Sequence, residues 1–294
     1  MSELTSSNTE LIRALAHICT EPVQSGELMG MLGIPLITMQ EHTETFILQL
    51  VPNASIYLSS TGMLGGEWAS RIGGFWRTIG MTPPADPDQL GLLLELYATL
   101  MEQHQLAGEK TRHGRAIEKS AAVLFTEYII SWLPAYLVTL KRIVHKDSGL
   151  YSWAQLLLSA ISYESRLHPH QLLLNDLPTA EFEEQESDDL LRMLVTPRSA
   201  GVILTKSDLV QFGSELGLAC RVGERAFVLR ELFGQDPKGV LQQICLGINR
   251  WLVDLEQLSA EHGLNAKPWI ETSRSTFDFL NTLQNATPLS MTHS

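Results

Sequence analysis

The sequence predicts an all-α fold. Apolar residues recur at steps of three and four along most of the chain, which is the spacing of one helix face. Alternating patterns typical of strands are nearly absent, and only the short run FILQLV at residues 46–51 is ambiguous. Start and stop signals, such as aspartate before proline and glycine after an apolar run, flank several of these stretches. We therefore expect a multi-helical bundle with an additional helical extension at the C-terminal end.

Length and composition indicate a soluble globular protein. The 294 residues are enough for a large core, and 44% are hydrophobic while 18% are charged. No apolar run approaches the roughly 18 residues that a membrane-spanning helix needs, so we expect no membrane insertion. The polar, acidic start MSELTSSNTE lacks the features of a secretory signal. A cytoplasmic protein is the expectation.

Charge and cysteine content exclude several classes of function. A formal net charge of -12 argues against nonspecific nucleic-acid binding, which needs clustered Lys and Arg, and suits a basic partner instead. The three cysteines, Cys19, Cys220 and Cys245, are far apart and form no CxxC pair, so neither disulfides nor a zinc site is predicted. We expect three small, buried, free thiols, no metal and no cofactor.

The most regular helical pattern follows Asp86. Asp86 can cap the free amides of a helix start, and Pro87 at the first helical position loses no hydrogen bond. A single helix face is predicted for Leu90, Leu93, Leu94, Tyr97, Leu100, Met101 and His104.

Two further helices are predicted after this one. One covers residues 115–145, with an apolar and aromatic stripe and a kink at Pro134, because proline removes an amide donor and crowds the preceding turn. The other covers residues 151–167. A carboxylate-rich, apolar-poor stretch follows and is the best linker candidate.

We accordingly predict a helical domain at 1–175, an acidic linker at 176–190 and a helical extension at 191–294 whose tail frays. Within the extension, Thr205 and Asp208 have the spacing of a capping box, and the helix that they open should end at Gly217. Further along, Asp236 and Pro237 should open a long helix that ends near Gly263.

Residues 57–100 and 124–140 resemble the TorD/DmsD family of redox-enzyme maturation chaperones. The first signature is an acidic-Pro-Asp segment that opens a Leu-rich helix, and the second is an aromatic helix with Trp, then Pro and another aromatic. The resemblance covers roughly residues 45–170. The first signature is matched by Asp86, Pro87, Asp88, Leu90 and Gly91, and the second by Phe125, Trp132, Pro134 and Tyr136.

Two positions depart from the family pattern. Gln89 and Tyr128 stand where the family usually has histidine. Both keep a hydrogen-bonding group, but neither can change charge near neutral pH as imidazole does.

The resemblance implies a TorD-like bundle that is not an enzyme and has no catalytic residues. It would bind the twin-arginine leader, or the apo form, of a molybdopterin oxidoreductase catalytic subunit, as a monomer or homodimer, and delay export until the cofactor is inserted. Carboxylates suit the two arginines, and an aromatic groove suits the apolar part of a leader. The residues expected to bind the client are Asp86, Asp88, Gln89, Tyr97, Tyr128, Trp132 and Tyr136, with Pro87, Gly91 and Pro134 as structural positions.

Each assignment has a structural alternative. Asp86 can simply cap a helix, Asp88 can complement the helix dipole, and Tyr97 and Trp132 lie on stripes that any helix uses for its core.

Two other functions also stay open. Residues 205–233 have the length of a DNA-binding helix-turn-helix, although their basic and acidic residues balance. Helical bundles also host small-ligand sites.

Overall fold

The computed structural model describes residues 2–108, 110–167 and 187–285. These ranges contain helices, turns and one isolated bridge between Asn53 and Gln89, but no strand, so the all-α prediction is confirmed. The ambiguous run at 46–51 belongs to a π-helical turn, Thr43–Ile47, and the turn after it.

The first nine helices are α1 (Ser2–Thr20), α2 (Gly26–Met31), α3 (Met39–His42), α4 (Ala54–Leu58), α5 (Gly66–Thr78), α6 (Leu90–Ala107), α7 (Arg112–Val123), α8 (Leu133–Ile143) and α9 (Gly149–Leu167). A 3₁₀-helix, Pro22–Ser25, precedes α2, and a second π-helical turn, Leu124–Ile129, follows α7. The remaining helices are α10 (Ser187–Val195), α11 (Pro197–Ala200), α12 (Lys206–Leu216), α13 (Arg225–Gln235), α14 (Pro237–His262) and α15 (Lys267–Asn285).

The helix predicted to begin at Pro87 begins three residues later, at Leu90. Its N-cap is Gln89, whose side-chain oxygen accepts a hydrogen bond from the backbone N–H of Leu92 at 3.0 Å. The expected cap, Asp86, lies in the preceding bend and is exposed. The assignment of Asp86 as a cap was therefore wrong.

Helix α6 begins late because hydrogen bonds hold the segment before it against the start of α4. The buried carboxylate of Asp88 accepts a hydrogen bond from the backbone N–H of Ser55 at 2.9 Å, and the N–H of Leu90 donates to the carbonyl of Pro52 at 2.7 Å. These bonds tie residues 86–90 to the start of α4. The chain consequently cannot enter a helix until it has passed this junction.

The helix predicted over 115–145 is interrupted rather than simply kinked. The part up to Ile129 and the part from Leu133 onward are bent by 48° relative to each other. Pro134 lies in the first turn of α8, where its missing N–H would have no intrahelical acceptor, so it marks a new helix start. By length and composition no single described helix qualifies as a membrane span, and only this bent pair passes that test jointly.

Helix boundaries in the C-terminal part follow the predictions closely. Thr205 and Asp208 form the expected capping box, and Gly217 ends α12 in the left-handed conformation. The carboxylate of Asp236 caps α14 by accepting from the N–H of Gly239 at 2.9 Å. Gly263 ends α14, also left-handed. Local sequence signals are thus sufficient to position these helices.

A continuous hydrophobic core contains residues from both the N-terminal and the C-terminal helices. Two indole groups illustrate how they meet: Trp251 Nε1 donates to Thr139 Oγ1 at 3.2 Å, and Trp269 Nε1 donates to the carbonyl of Ser131 at 2.8 Å. Helix α14 therefore packs directly on α8.

The division into domains at 1–175, 176–190 and 191–294 stays a prediction. Residues 176–186 of the predicted linker and the tail after residue 285 lie outside the described residues. Residues 187–190 form the first turn of α10.

The three cysteines are free, as expected, and two of them are buried. Burial raises the pKa of the Cys19 thiol to about 12 and also raises the pKa of Cys245. Cys220 is only partly buried, which corrects the expectation of three buried thiols. The two buried thiols therefore behave as small apolar core groups.

A carboxylic acid is buried between α1, α6 and α9. The side chain of Glu164 accepts hydrogen bonds from the Tyr97 hydroxyl at 2.6 Å and from the Asn8 amide at 2.5 Å. Burial raises the pKa of Glu164, and these two hydrogen bonds oppose the rise only in part. The protonated form is thus favoured in the folded protein more than in the unfolded chain.

We predict that replacing Glu164 by Gln reduces the pH dependence of stability. Because the folded-state pKa is raised, the stabilisation from protonation is complete below the unfolded value of about 4.3 and is lost as pH rises through the folded pKa. The free energy of unfolding, measured in urea between pH 4 and 8, should therefore fall less steeply for Glu164→Gln than for the parent. The exposed Glu118, changed to Gln, is the control; parallel curves for parent and Glu164→Gln would contradict the prediction.

Candidate functional site

The aromatic residues expected to line a client groove lie in the core. Tyr97, Trp132 and Tyr136 are 0% exposed and Tyr128 is 5% exposed. All four face the interior because their helices use these stripes for packing. Their assignment to client binding stays a prediction, and any contact with a client would first require the core to open.

Trp132 belongs to a compact aromatic cluster. Its ring is stacked on Tyr57 with centroids 5.0 Å apart and planes 3° apart, and it meets Tyr136 edge to face at 5.3 Å. The polar atoms of the cluster are satisfied internally: Trp132 Nε1 donates to the Tyr128 carbonyl at 2.8 Å, and the Tyr136 hydroxyl donates to the Leu50 carbonyl at 3.1 Å. The arrangement is that of a structural cluster with no polar group aimed at solvent.

Tyr128 lies nearest to the surface among the four aromatic residues. Phe75 packs edge to face against its ring at 5.5 Å, and the Arg71 guanidinium lies 5.9 Å from the ring centroid. Arg71 also pairs with Glu127 at 3.1 Å and lies 5.0 Å from the ring of Trp68. The surface above Tyr128 is therefore already covered by a guanidinium that is paired with a carboxylate.

The two aspartates of the first signature are in different environments. Asp88 is 2% exposed, and its carboxylate accepts hydrogen bonds from the backbone N–H of Ser55 and, at 3.3 Å, from the side-chain amide of Asn53. Asp86 is exposed, and Gln89 is partly exposed. The structure therefore does not assemble the predicted aspartates and aromatic residues into one open groove.

The predicted structural positions have clear local roles. A Cβ on Gly91 would stand 2.6 Å from Thr20 Cγ2 and 2.8 Å from the Ala16 carbonyl oxygen, so only glycine permits the close packing of α1 on α6. The carbonyl of Pro87 accepts a hydrogen bond from Trp76 Nε1 at 3.2 Å, which joins the turn to α5.

A different part of the molecule exposes apolar side chains, which we call the acidic apolar surface. It is formed by residues 21–48, in the short helices between α1 and α4. Helix α3 contacts the 3₁₀-helix Pro22–Ser25, and Leu36 packs over Gly26, so these segments share one region of surface. Large apolar side chains that are 54–77% exposed here are Val23, Met31, Leu36, Met39, Ile47 and Leu48.

Buried residues hold this surface in place. Phe46 is buried edge to face against Trp153 at 5.9 Å, and His42 packs on Phe46 at 5.4 Å. The Pro35 carbonyl approaches Gly149 so closely that any Cβ at that position would overlap it. The exposed apolar residues are thus carried by a backbone that packs directly on α9.

The charge of the acidic apolar surface has one sign. No Lys or Arg occurs between Arg13 and Arg71. Exposed carboxylates are present at Glu21, Glu27 and Glu44, and none of the three forms an ion pair within the described residues. Six of the large exposed apolar side chains of the described residues lie here, and such clustering is typical of an interaction site.

Sequence reasoning missed this surface because exposed and buried apolar residues look alike in a sequence. The signal that was available is the gap in basic residues between positions 13 and 71, together with the methionine-containing run at 28–39. Methionine side chains are flexible and polarisable and are frequent on surfaces that accept varied partners.

The structure also bears on a metal site and on the DNA-binding helix-turn-helix. Within the described residues, no three His, Cys, Asp or Glu side chains are grouped as metal ligands would be. The candidate helix-turn-helix has residues 217–224 between α12 and α13, longer than the three- or four-residue turn of that motif. Its second helix buries Val228, Leu229, Leu232 and Phe233.

The described residues form an all-helical protein that exposes one acidic apolar surface. Residues 38–137, roughly a third of the chain, match the family model of the nitrate reductase delta subunit, which is the TorD-like family of redox-enzyme maturation chaperones. The match supports the predicted resemblance at the level of this family over residues 38–137, and the specific TorD/DmsD assignment stays a prediction. Neither the comparison with curated proteins nor that with solved structures found a match.

Proposed function

We propose that this protein is a cytoplasmic maturation chaperone that binds the twin-arginine leader, or the apo form, of a molybdopterin-dependent oxidoreductase subunit. In this role it aids cofactor insertion and delays export, and it has no catalytic activity of its own. The family match supports the general role, because chaperones of that family serve molybdoenzyme maturation. The observation that carries the proposal for this chain is the acidic apolar surface.

The chemistry of a leader is complementary to that surface. Two adjacent arginines form charge-assisted hydrogen bonds with carboxylates, here Glu21, Glu27 and Glu44. The apolar segment that follows the arginines can pack on exposed side chains such as Met31 and Met39. A leader bound in this way supplies the positive charge that residues 21–48 lack and an apolar partner for their exposed side chains.

The surface is partly inside the region that matches the family. Met39, Ile47 and Leu48 lie within residues 38–137, whereas Val23 and Met31 precede it. We therefore assign the leader site to the junction between the family-matched region and the segment in front of it. The oligomeric state, monomer or homodimer, stays a prediction.

We expect the double change Glu27→Lys with Glu44→Lys to weaken binding of a twin-arginine leader peptide by about tenfold. Each exposed pair is worth roughly 0.2–1 kcal/mol, and reversal adds repulsion to the lost attraction. Fluorescence anisotropy of a labelled leader peptide, at low and at physiological salt, measures the change. The matched control is Glu118→Lys, an exposed carboxylate on α7.

The outcomes separate two locations for the site. Weakening by the double change alone supports the acidic apolar surface. Weakening by Asp86→Asn alone would move the site to the first signature, as the family resemblance implies. Equal affinity of every variant, for a peptide that the parent binds, would contradict both locations.

A further inference from the structure

A small cavity lies where residues 48–57 meet the C-terminal helices. Its volume is about 130 Å³. Apolar side chains form much of its wall, among them Val51, Ile56 and Ile203, and Leu48 lies at its edge with the acidic apolar surface. Two cationic residues, Lys206 and Arg225, complete the lining, and no carboxylate lines it.

The Arg225 guanidinium has spare hydrogen-bonding capacity. Its Nη1 donates to the Leu204 carbonyl at 2.9 Å, and the residue forms no salt bridge within the described chain. A guanidinium carries five N–H donors. The carboxylate that acts on it electrostatically, Glu224, is exposed and does not line the cavity.

The environment of Arg225 is costly for a lone cation. Burial lowers the pKa of Arg225, and charge interactions with Tyr57 and Glu224 oppose this only in part. Arg225 is partly buried, and a charge held partly away from water without a close counter-charge is unfavourable, so an anion beside it lowers that cost. Lys206, exposed at the start of α12, adds a second positive charge on the same cavity.

We propose that this cavity binds a small carboxylate that carries a short apolar group. The planar guanidinium of Arg225 matches a carboxylate bidentately, Lys206 supplies a point charge, and the apolar wall covers the rest of the ligand. An apolar cavity of about 150 Å³ accepts benzene, so this slightly smaller one suits the apolar part of an acid such as isovalerate or benzoate, with the carboxylate at the rim beside the exposed Lys206. Inorganic phosphate leaves the apolar wall uncovered and is the poorer ligand.

The site adjoins the proposed leader site and shares Leu48 with it. It is basic where the leader site is acidic, and it lies between the family-matched region and α12 and α13. Its floor is Tyr57, which stacks on Trp132, so a ligand here contacts the aromatic cluster from outside. A bound acid would therefore join the N-terminal helices to the C-terminal ones.

The test compares isovalerate and benzoate with isovaleramide, benzamide and inorganic phosphate at constant ionic strength, on the full chain. Saturable rises in Tm and saturable heats in calorimetry are expected for the two carboxylates and not for the amides or phosphate. Lys206→Gln, at an exposed position, should weaken carboxylate binding about tenfold without changing the fold, and Arg225→Gln should abolish it. Arg221→Gln, an exposed cation on the same segment, should bind like the parent.

Three results would overturn the proposal. In the first, neither carboxylate has a saturable effect on the parent. In the second, phosphate or the neutral amides bind as well as the carboxylates. In the third, Lys206→Gln binds the carboxylates with the affinity of the parent. If Arg225→Gln fails to fold, Lys206→Gln still decides the outcome. None of these measurements uses a leader peptide, so failure here leaves the proposed chaperone function untouched.

Discussion

Replacing Trp132 by Ala is expected to lower the free energy of unfolding by about 3–5 kcal/mol, the range for truncating a large aromatic residue in a core. The indole is completely buried, is stacked on Tyr57, meets Tyr136 edge to face and donates to the Tyr128 carbonyl. All of these interactions are lost together. Urea unfolding followed by circular dichroism measures the change, with Trp68→Ala, at a half-exposed position, as the control that loses much less.

This expectation also tests the role of Trp132 in client binding. Trp132→Phe keeps an aromatic ring in the cluster and loses only part of the packing. If Trp132 is a core residue, a folded Trp132→Phe protein binds a leader peptide as the parent does. Weakened binding at unchanged Tm would instead return Trp132 to the client site implied by the family resemblance.

The second large effect is expected for Gly201→Ala, with a loss of about 2–4 kcal/mol in the free energy of unfolding. Gly201 has a φ of +67°, and an added Cβ would stand 2.7 Å from the Thr272 carbonyl carbon. Its carbonyl also accepts a hydrogen bond from the Ser273 hydroxyl. Alanine would therefore strain the backbone and push α15 away from α11.

A matched control separates the two causes. Gly217 has nearly the same φ, +66°, but nothing lies within 4 Å of an added Cβ. Gly217→Ala should lose only the cost of the left-handed conformation, about 1–2 kcal/mol. Equal losses at the two positions, measured by thermal or urea unfolding, would mean that the methyl group added at Gly201 is accommodated against α15 at no cost in stability.

Local signals predicted the C-terminal helices well and the acidic apolar surface poorly. Caps such as Thr205, Asp208 and Asp236 act within one turn, so their effect can be read from a few neighbouring residues. Asp86 was misassigned as a cap because its neighbour Asp88 is committed to Ser55, 33 residues away in sequence. No local pattern contains that information.

The same limit applies to the candidate site. Periodicity placed Tyr97 and Trp132 on helix faces that pack, but it cannot distinguish a face that lines a groove from one that fills a core. The acidic apolar surface is carried by short helical segments, too brief for periodicity to be informative. Its recognition required the exposed fraction of each side chain, which is a tertiary property.

Helix α1 completes its packing only with residues far along the chain. Trp153 Nε1 donates to the Leu15 carbonyl across 138 residues, and the Asn8 amide reaches Glu164 across 156. At a synthesis rate of about 5–20 residues per second, roughly 10–30 seconds separate the translation of α1 from that of α9. Through that interval α1 lacks its packing against α9 while the chain is still on the ribosome. Part of its apolar side is therefore exposed, and the nascent chain is itself open to aggregation.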